Sequence, residues 1–136
     1  MSEAEDRRQL QDLMLSYAAA VDDRDMARYR ACFMDDAEIV GFGEATITGA
    51  DAWTTSVESQ LEAFSSTQHL IRPQLATISG DTASARTDVQ ALHVLKDSDG
   101  AMFTLWATYL TDFARADRGW KISRHELVIR GTQKTV

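Results

Sequence analysis

The sequence lacks the residues and runs on which several classes of protein depend. Cys32 is the single cysteine among 136 residues, so no disulfide can form within the chain and a thiolate metal site would lack partners. No apolar run approaches the roughly 20 residues that cross a bilayer, and the N-terminal segment MSEAEDRRQLQ is charged where a signal peptide is apolar. We therefore expect a cytoplasmic protein with no membrane partner, in which Cys32 is a small buried apolar residue.

Positive charge is scarce as well. The formal net charge is -7, and no stripe of Lys and Arg is concentrated enough to attract a phosphate backbone, so we expect no nucleic acid partner. The three histidines do not lie at metal-ligand spacing on one element, and Gly41 and Gly43 form only a fragment of a phosphate-loop pattern. The sequence therefore predicts no metal site and no bound cofactor.

Length and composition predict a single domain over residues 1–136. Hydrophobic residues make up 44% of the chain and charged residues 26%, which is ordinary for a folded globular protein and excludes disorder of the whole. The chain shows no internal repeat, low-complexity tract or linker.

Helical periodicity dominates the first half of the chain. An apolar stripe predicts a helix over residues 3–23, and Asp25 is placed to cap a second short helix over DMARYRACFM. A short strand over residues 37–42 and an apolar fragment over 45–48 follow. A third helix, with Asp51 expected to accept backbone hydrogen bonds at its start, ends near Ser65; its apolar stripe is Trp53, Val57, Leu61 and Phe64.

From Thr67 onward the hydrophobic period changes to two. Four extended segments are predicted, with Gly- and Asp-containing turns between them: 67–79, 82–96, 101–115 and 119–131. Helices gathered before a run of hairpin-linked strands indicate an α+β fold. We expect a strongly curved, cone-shaped antiparallel sheet covered on one face by the three N-terminal helices.

Alternation along the long strands distinguishes the two faces of this sheet. In segment 82–96 the odd positions are small or apolar and are assigned to the inner face, where they leave room for a pocket: Ala83, Ala85, Thr87, Val89, Ala91, His93 and Leu95. Segment 101–115 is apolar on both faces. Because Met102, Trp106 and Leu110 would form an exposed apolar patch on a monomer, we predict a homodimer through the outer face.

The residue pattern leaves two interpretations for each candidate site residue. Asp22 lies at the end of the first helix, where the helix dipole disfavours a carboxylate, so it either serves the pocket or merely caps the next helix or pairs with Arg24 or Arg28. His69 is either a base or a satisfied histidine at a strand start. Arg124 shares a strand face with Trp120 and Ile122 and either binds an anionic group in the pocket or forms a surface salt bridge to Glu126 or Asp112.

Four segments of the sequence resemble the SnoaL-like branch of the nuclear transport factor 2-like superfamily. They are YAAAVDDRDMARYRACFMDDAE, TQHL, SGDTASARTDVQALHV and YLTDFARADRGWKISRHE, which together span most of the chain. The resemblance implies a cystatin-like α+β barrel. It implies less about the reaction, because this superfamily includes dehydratases, isomerases, dehalogenating lyases, epoxide hydrolases, polyketide cyclases and binding proteins without activity.

Within this branch the sequence is similar to scytalone dehydratase, hexachlorocyclohexane dehydrochlorinase and bile-acid dehydratase. The resemblance assigns Asp22 and His69 to the proton-abstracting dyad of these enzymes, and we expect both side chains to point into the pocket. It also assigns Tyr17 and His93 to single further site positions. The sequence departs from scytalone dehydratase at Val21, Ala107 and Tyr109, so the substrate of that enzyme is not implied.

The function predicted from the sequence is a cofactor-independent lyase of the dehydratase or dehydrohalogenase type. Its substrate would be a small, largely apolar cyclic molecule, such as a polyketide-like or steroid-like compound, from which His69 removes a proton while Asp22 orients the ring. Tyr17, His93 or Tyr109 would donate a hydrogen bond to the leaving group, although core packing explains each of them equally well. The alternatives are an isomerase using the same base and a small-molecule-binding protein without activity.

Overall fold

The computed structural model describes residues 2–135 as three helices packed on a curved seven-stranded sheet. None of these helices is long and apolar enough to span a membrane. In chain order the elements are α1 (Glu3–Asp22), α2 (Met26–Arg30), β1 (Phe33–Val40), β2 (Ile47–Thr48), α3 (Ala50–Leu61), β3 (Phe64–Ile71), β4 (Leu75–Ser79), β5 (Thr82–Leu95), β6 (Met102–Ala116) and β7 (Gly119–Lys134).

The sheet confirms the predicted α+β class, in which N-terminal helices cover a curved sheet. Its strand order is β2-β1-β7-β6-β5-β3, and β4 pairs with the remaining length of β5. Every neighbouring pair is antiparallel except β1 and β7, which run parallel. A parallel pair needs a long connection, and here the rest of the fold lies between the two strands in the chain. Within residues 2–135 the strand order has two ends, so the sheet forms an open rather than a closed barrel.

Two aromatic residues that were assigned to helices belong to strands. Helix α2 ends at Arg30, and Phe33 begins β1; helix α3 ends at Leu61, and Phe64 begins β3. Both side chains are in phase with the preceding helical stripe and with the inner face of the following strand, so periodicity could not decide between them.

Asp51 was also wrongly expected to cap α3, because Gly49 is the N-cap residue and the Asp51 carboxylate accepts a hydrogen bond from Arg30 Nε at 2.6 Å.

The predicted strand over 67–79 is two strands. Pro73 stands between β3 and β4 and has no N–H to donate to a neighbouring strand. The N–H of Gln74 donates instead to the side-chain oxygen of Gln11 on α1, at 2.9 Å. Both strands pair with β5, one at each end, so the interruption bends the edge of the sheet toward α1.

The inner face of the sheet follows the predicted alternation. Ala83, Ala85, Val89 and Ala91 on β5 are all buried, and their small side chains leave space beneath the helices. The largest apolar side chains of the core are completely buried and come from every layer: Leu10, Met14, Phe33, Ile39, Trp53, Phe113 and Ile122. Cys32 is buried as predicted, and burial raises the pKa of its thiol to about 11.

A buried carboxylate joins the start of α1 to the hairpin between β6 and β7. Asp6 accepts hydrogen bonds from Arg115 Nη1 at 2.9 Å, from Arg115 Nη2 at 3.1 Å and from Trp120 Nε1 at 3.1 Å. The guanidinium group also lies 4.4 Å from the centre of the Trp120 ring. Because Asp6 is in the first turn of α1, the helix dipole favours its charge as well.

Gly41 turns the chain out of β1 at the point where β1 meets β7. Its φ is +85°, and a Cβ atom at this position would collide with the main-chain carbonyl oxygen of Leu127. Only glycine therefore fits here without moving β7, whose Leu127 packs into the core.

We expect Gly41→Ala to lower the free energy of unfolding by about 1–3 kcal/mol, because the new side chain is strained in φ and overlaps with β7. Urea denaturation measures the change. Gly43→Ala is the matched control, since Gly43 has no positive φ and an added Cβ there meets nothing within 4 Å; its effect should stay within about 0.5 kcal/mol. Equal denaturation midpoints for the two variants would contradict the role given to Gly41.

Candidate active site

The structure brings Asp22 and His69 into direct contact. Asp22 is the last residue of α1, and His69 lies on β3, the strand at one end of the sheet. One carboxylate oxygen, Oδ1, lies 2.7 Å from His69 Nδ1, and the other, Oδ2, accepts the main-chain N–H of His69 at 2.7 Å. The two side chains are 18% and 13% exposed, so the pair is screened only weakly by solvent.

The hydrogen bonds around Asp22 favour its ionised form. Partial burial opposes ionisation, but the ring and main-chain N–H of His69 and the hydroxyl of Thr67 donate to the carboxylate, and together they lower the pKa of Asp22. Asp22 does not cap α2, since the carboxylate of Asp25 accepts the N–H of Arg28. Neither surface interpretation of Asp22 fits this geometry.

The ionised carboxylate fixes the tautomer of the neighbouring imidazole. A carboxylate only accepts hydrogen bonds, so the proton between Asp22 and His69 belongs to Nδ1. In a neutral ring Nε2 is then the atom with the free lone pair. His69 lines both an apolar cavity on the inner side of the sheet and an open groove on the outer side.

The cavity lies between α2, α3 and the inner face of the sheet and has a volume of about 270 Å³. Asp22 does not line it, contrary to the expectation that both members of the pair point into the pocket. Asp22 instead borders a groove on the outside, between α1 and β3, so that His69 forms the wall between the groove and the cavity. The lining is mostly apolar: Val21, Phe42, Trp53, Val57, Leu61, Phe64, Phe103, Leu105, Leu127 and Ile129.

His93 faces His69 across the cavity wall, with ring centroids 5.8 Å apart. Its Nδ1 lies 3.2 Å from the carbonyl oxygen of Phe103, so Nδ1 carries the proton in this contact. Burial lowers the pKa of His93, and the nearby His69 lowers it further. His93 is therefore favoured in its neutral form, with Nε2 as an acceptor.

Two buried tyrosines add hydroxyl groups to the cavity lining. Burial raises the pKa of Tyr109 to about 12 and also raises that of Tyr29, so both remain protonated and able to donate hydrogen bonds. The Tyr29 hydroxyl accepts the indole N–H of Trp53 at 3.0 Å. The sequence analysis proposed Tyr109 as a hydrogen-bond donor to the leaving group, and Tyr29 lines the same cavity without having been proposed for that role.

Tyr17 lies behind the cavity and not in it. Its hydroxyl is 3.0 Å from Nε2 of His125, and the other ring nitrogen of His125 is 2.9 Å from the Thr111 hydroxyl. The ring of His125 packs against that of Tyr109 in a tilted arrangement, with centroids 4.6 Å apart. This buried network supports Tyr109 from the side away from the cavity, and the sequence analysis did not single out His125.

Arg124 points to the outer face and not into the cavity. A β-bulge between β6 and β7 pairs Asp112 with Arg124 and Phe113 with Ile122, which leaves Ser123 as an extra residue. The extra residue reverses the alternation after Ile122, so His125 faces inward and Arg124 outward. The Arg124 guanidinium binds Glu126 at 3.0 Å and Glu38 at 3.3 Å, which excludes an anion-binding role in the pocket.

Residues 2–135 contain no group of three or more His, Cys, Asp or Glu side chains arranged to hold a metal ion. The cavity wall also contains no Asp, Glu, Lys or Arg among these residues. The polar side chains at the described wall are therefore the oriented imidazole of His69, the neutral imidazole of His93, two tyrosines, the amide of Gln60 and the hydroxyl of Thr132.

The buried His125 should make stability depend on pH. Burial lowers the pKa of His125 to about 3, whereas an unfolded histidine titrates near its ordinary value of 6.5. Between these two values the unfolded chain binds a proton that the folded chain does not, so the free energy of unfolding falls as the pH falls from about 6.5 to about 3. In His125→Gln the slope should be smaller by about 1.4 kcal/mol per pH unit. Denaturation curves across this range measure it, and parallel slopes for both proteins would contradict the assignment.

The comparisons with known proteins agree with this architecture. A candidate scytalone dehydratase of Novosphingobium aromaticivorans superposes with a TM-score of 0.87 at 24% identity, covering 95% of this chain and 87% of that one. The dehydrochlorinase LinA type 3 of Novosphingobium barchaimii gives 0.81 at 22%, covering 96% and 90%. A candidate aromatic ring hydroxylase of N. aromaticivorans gives 0.89 at 29%, covering 99% and 96%.

These structures share the fold while their names describe different reactions, so the fold alone does not determine the chemistry. The search of curated proteins gives no match. The model of the SnoaL-like domain matches residues 2–126, which is most of the chain. The chain therefore belongs to the SnoaL-like domain family.

Proposed function

We propose that this protein is a cofactor-independent lyase that abstracts a proton from carbon with His69 as the base and Asp22 as its partner. The observation that carries the proposal is the 2.7 Å contact between Asp22 Oδ1 and His69 Nδ1, with His69 in the wall of an apolar cavity. An imidazole oriented by a carboxylate accepts a proton at Nε2 and is stabilised as the cation that forms. A histidine that served packing alone would need neither a buried carboxylate nor an open cavity.

The lining of the cavity favours a neutral, largely apolar substrate. A charged ligand would lose its hydration without gaining an opposite charge, because the described lining has no Asp, Glu, Lys or Arg. A volume of about 270 Å³ is at the small end of ligand sites, which fits a compact ring system better than an extended chain. The aromatic side chains of Phe42, Trp53 and Phe103 suit a flat cyclic molecule.

The proposed step is an elimination in which every atom is accounted for. His69 Nε2 takes a proton from a carbon beside the leaving group, the electrons of that C–H bond form the new double bond, and the leaving group departs with its bonding pair. Asp22 stabilises the imidazolium through Nδ1, and the imidazolium then releases the proton to the departing hydroxide, or to solvent when a halide leaves. Tyr109 or Tyr29, both protonated, donates a hydrogen bond to the departing oxygen or halide, and His93 accepts one from a substrate hydroxyl.

Two alternatives use the same cavity. An isomerase would share the first step, but the proton would return to another carbon and no group would leave. A binding protein would hold the ligand without exchanging its protons. The dehydrochlorinase and the candidate scytalone dehydratase among the similar structures favour elimination over isomerisation.

The test is exchange of carbon-bound protons with deuterated solvent in a panel of small neutral cyclic alcohols, ketones and chlorides. We expect His69→Ala to lower exchange by about 10²–10⁴-fold, because the base is lost. Asp22→Asn should lower it by about tenfold or more, since the amide no longer fixes the tautomer. Mass spectrometry and NMR measure deuterium uptake, and the release of water or chloride separates elimination from isomerisation.

Asp23→Asn is the matched control, because Asp23 is the neighbouring carboxylate on the exposed side of the helix end. Its exchange rate should equal that of the wild-type protein. Equal exchange in all four proteins would show that the pair is not the base. Tight binding of a panel member without any exchange would favour the binding protein.

We also propose that the protein is a homodimer through the outer face of the sheet. Met102, Trp106 and Leu110 on β6 are 38%, 37% and 40% exposed, and Leu70 and Leu75 on the flanking strands are 57% and 73% exposed. Met102, Trp106 and Leu110 form one apolar row along β6, and the register places Leu70 and Trp106 on either side of Gln90 of β5. A second copy would bury this row.

Trp106→Glu is expected to convert the dimer to a monomer, because it puts a charge at the centre of the apolar row. Sedimentation velocity at several protein concentrations measures the mass. Leu15→Glu is the control, since Leu15 is also half exposed but lies on α1, away from the outer face; it should remain dimeric. A wild-type protein that sediments as a monomer at all concentrations would overturn the proposal.

A further inference from the structure

Arg24 and Thr67 form a chain of hydrogen bonds that ends on Asp22. Arg24 Nη1 donates to the Thr67 hydroxyl at 2.7 Å, and the same hydroxyl donates to Asp22 Oδ1 at 3.0 Å. Thr67 is buried, and it lies two residues before His69 on β3, so both side chains leave the strand on the same side. None of these contacts is needed to pair β3 with β5, which uses the main chain.

The chemistry of Arg24, Thr67 and Asp22 fixes which group donates and which accepts in each of these hydrogen bonds. A guanidinium only donates, so the oxygen of Thr67 must accept from Arg24. The single proton of the hydroxyl is then free to point only at Asp22, which accepts it. Asp22 thus receives three donors, namely the Thr67 hydroxyl, the His69 main-chain N–H and the His69 ring Nδ1–H.

Arg24 is held in place by the end of α1. It has a φ of +59°, which turns the chain back after the helix, and its Nη1 also donates to the carbonyl of Val21 at 2.8 Å. A cation at the C-terminus of a helix is favourable. Its charge offsets the dipole that would otherwise disfavour the Asp22 carboxylate at the same helix end.

We infer that Arg24 and Thr67 are positioning residues that hold the Asp22 carboxylate in place against His69, so that His69 keeps its proton on Nδ1 and presents Nε2 to the cavity. The pair acts through Asp22 and does not line the cavity. The inference rests on the proposed function only in naming His69 as the base. The state of the ring itself can be measured without a substrate.

The pair should also limit how strongly the imidazolium is stabilised. Without the Thr67 hydroxyl, Asp22 Oδ1 has one donor fewer and keeps more of its negative charge; without Arg24, a positive charge near the ring is lost. Both changes favour the protonated ring. The other titratable groups around His69 are Asp22 and Asp23 at the end of α1 and His93 on β5, and all three are retained in the variants below.

The experiment is an NMR titration of the His69 ring with ¹⁵N labelling, which reports both the tautomer and the titration midpoint. We expect Thr67→Val and Arg24→Gln each to raise the midpoint by about 0.5–1 pH unit and to reduce the population of the Nδ1–H tautomer. Thr67→Ser, which keeps the hydroxyl, should restore the wild-type midpoint and tautomer.

Thr108→Val is the matched control, because Thr108 donates the same kind of hydrogen bond to Asp88 on the outer face, at 2.8 Å. It should leave the His69 titration unchanged. A midpoint that is unchanged or lowered in either Thr67→Val or Arg24→Gln would overturn the inference; if Thr67→Val does not fold, Arg24→Gln decides by the same criterion. The proposed lyase fails separately, through the absence of deuterium exchange in the wild-type protein.

Discussion

The carboxylate of Asp22 joins the end of α1 to the edge of the sheet. Strand β3 pairs with β5 on one side only, so its other main-chain groups need partners outside the sheet. Asp22 supplies one by accepting the N–H of His69. The same carboxylate binds the His69 ring, so the helix end fixes both the strand and the orientation of the side chain that reaches the cavity.

The cavity is apolar because the charged side chains near it face away from its wall. The bulge at Ser123 turns Arg124 outward to Glu38 and Glu126 and turns His125 inward, where burial keeps it neutral. Asp22 remains behind His69, facing the outer groove. The imidazole of His69 thereby separates the negative charge of Asp22 from the substrate. A weak base can then act in a cavity whose described lining has no charged residue.

Much of this architecture is predictable from the sequence, because period and turn residues identify elements well. The first helix follows from its helical period, and the inward face of β5 and the exposed Trp106 and Leu110 follow from strand alternation. The failures have local causes. Phe33 and Phe64 fit a helix and a strand equally, and one extra residue in β7 reverses the face of Arg124, which no periodicity reveals. Thr67 could have been found, since it is in phase with His69; its bond to Arg24 depends on a left-handed residue that the pattern does not show.

Asp22 can both hold β3 and act as the partner of the proposed base His69, but holding β3 explains only one of its two oxygens. Accepting the His69 main-chain N–H requires Oδ2 alone. The second oxygen carries the ring Nδ1 and the Thr67 hydroxyl, and Thr67 is in turn bound by Arg24. A polar chain of this kind, partly buried, is costly unless its members are hydrogen-bonded, and here the Thr67 hydroxyl and both N–H groups of His69 donate to Asp22. A carboxylate that only held the edge strand in place would not need to orient the His69 imidazole as well. Proton abstraction does require that orientation.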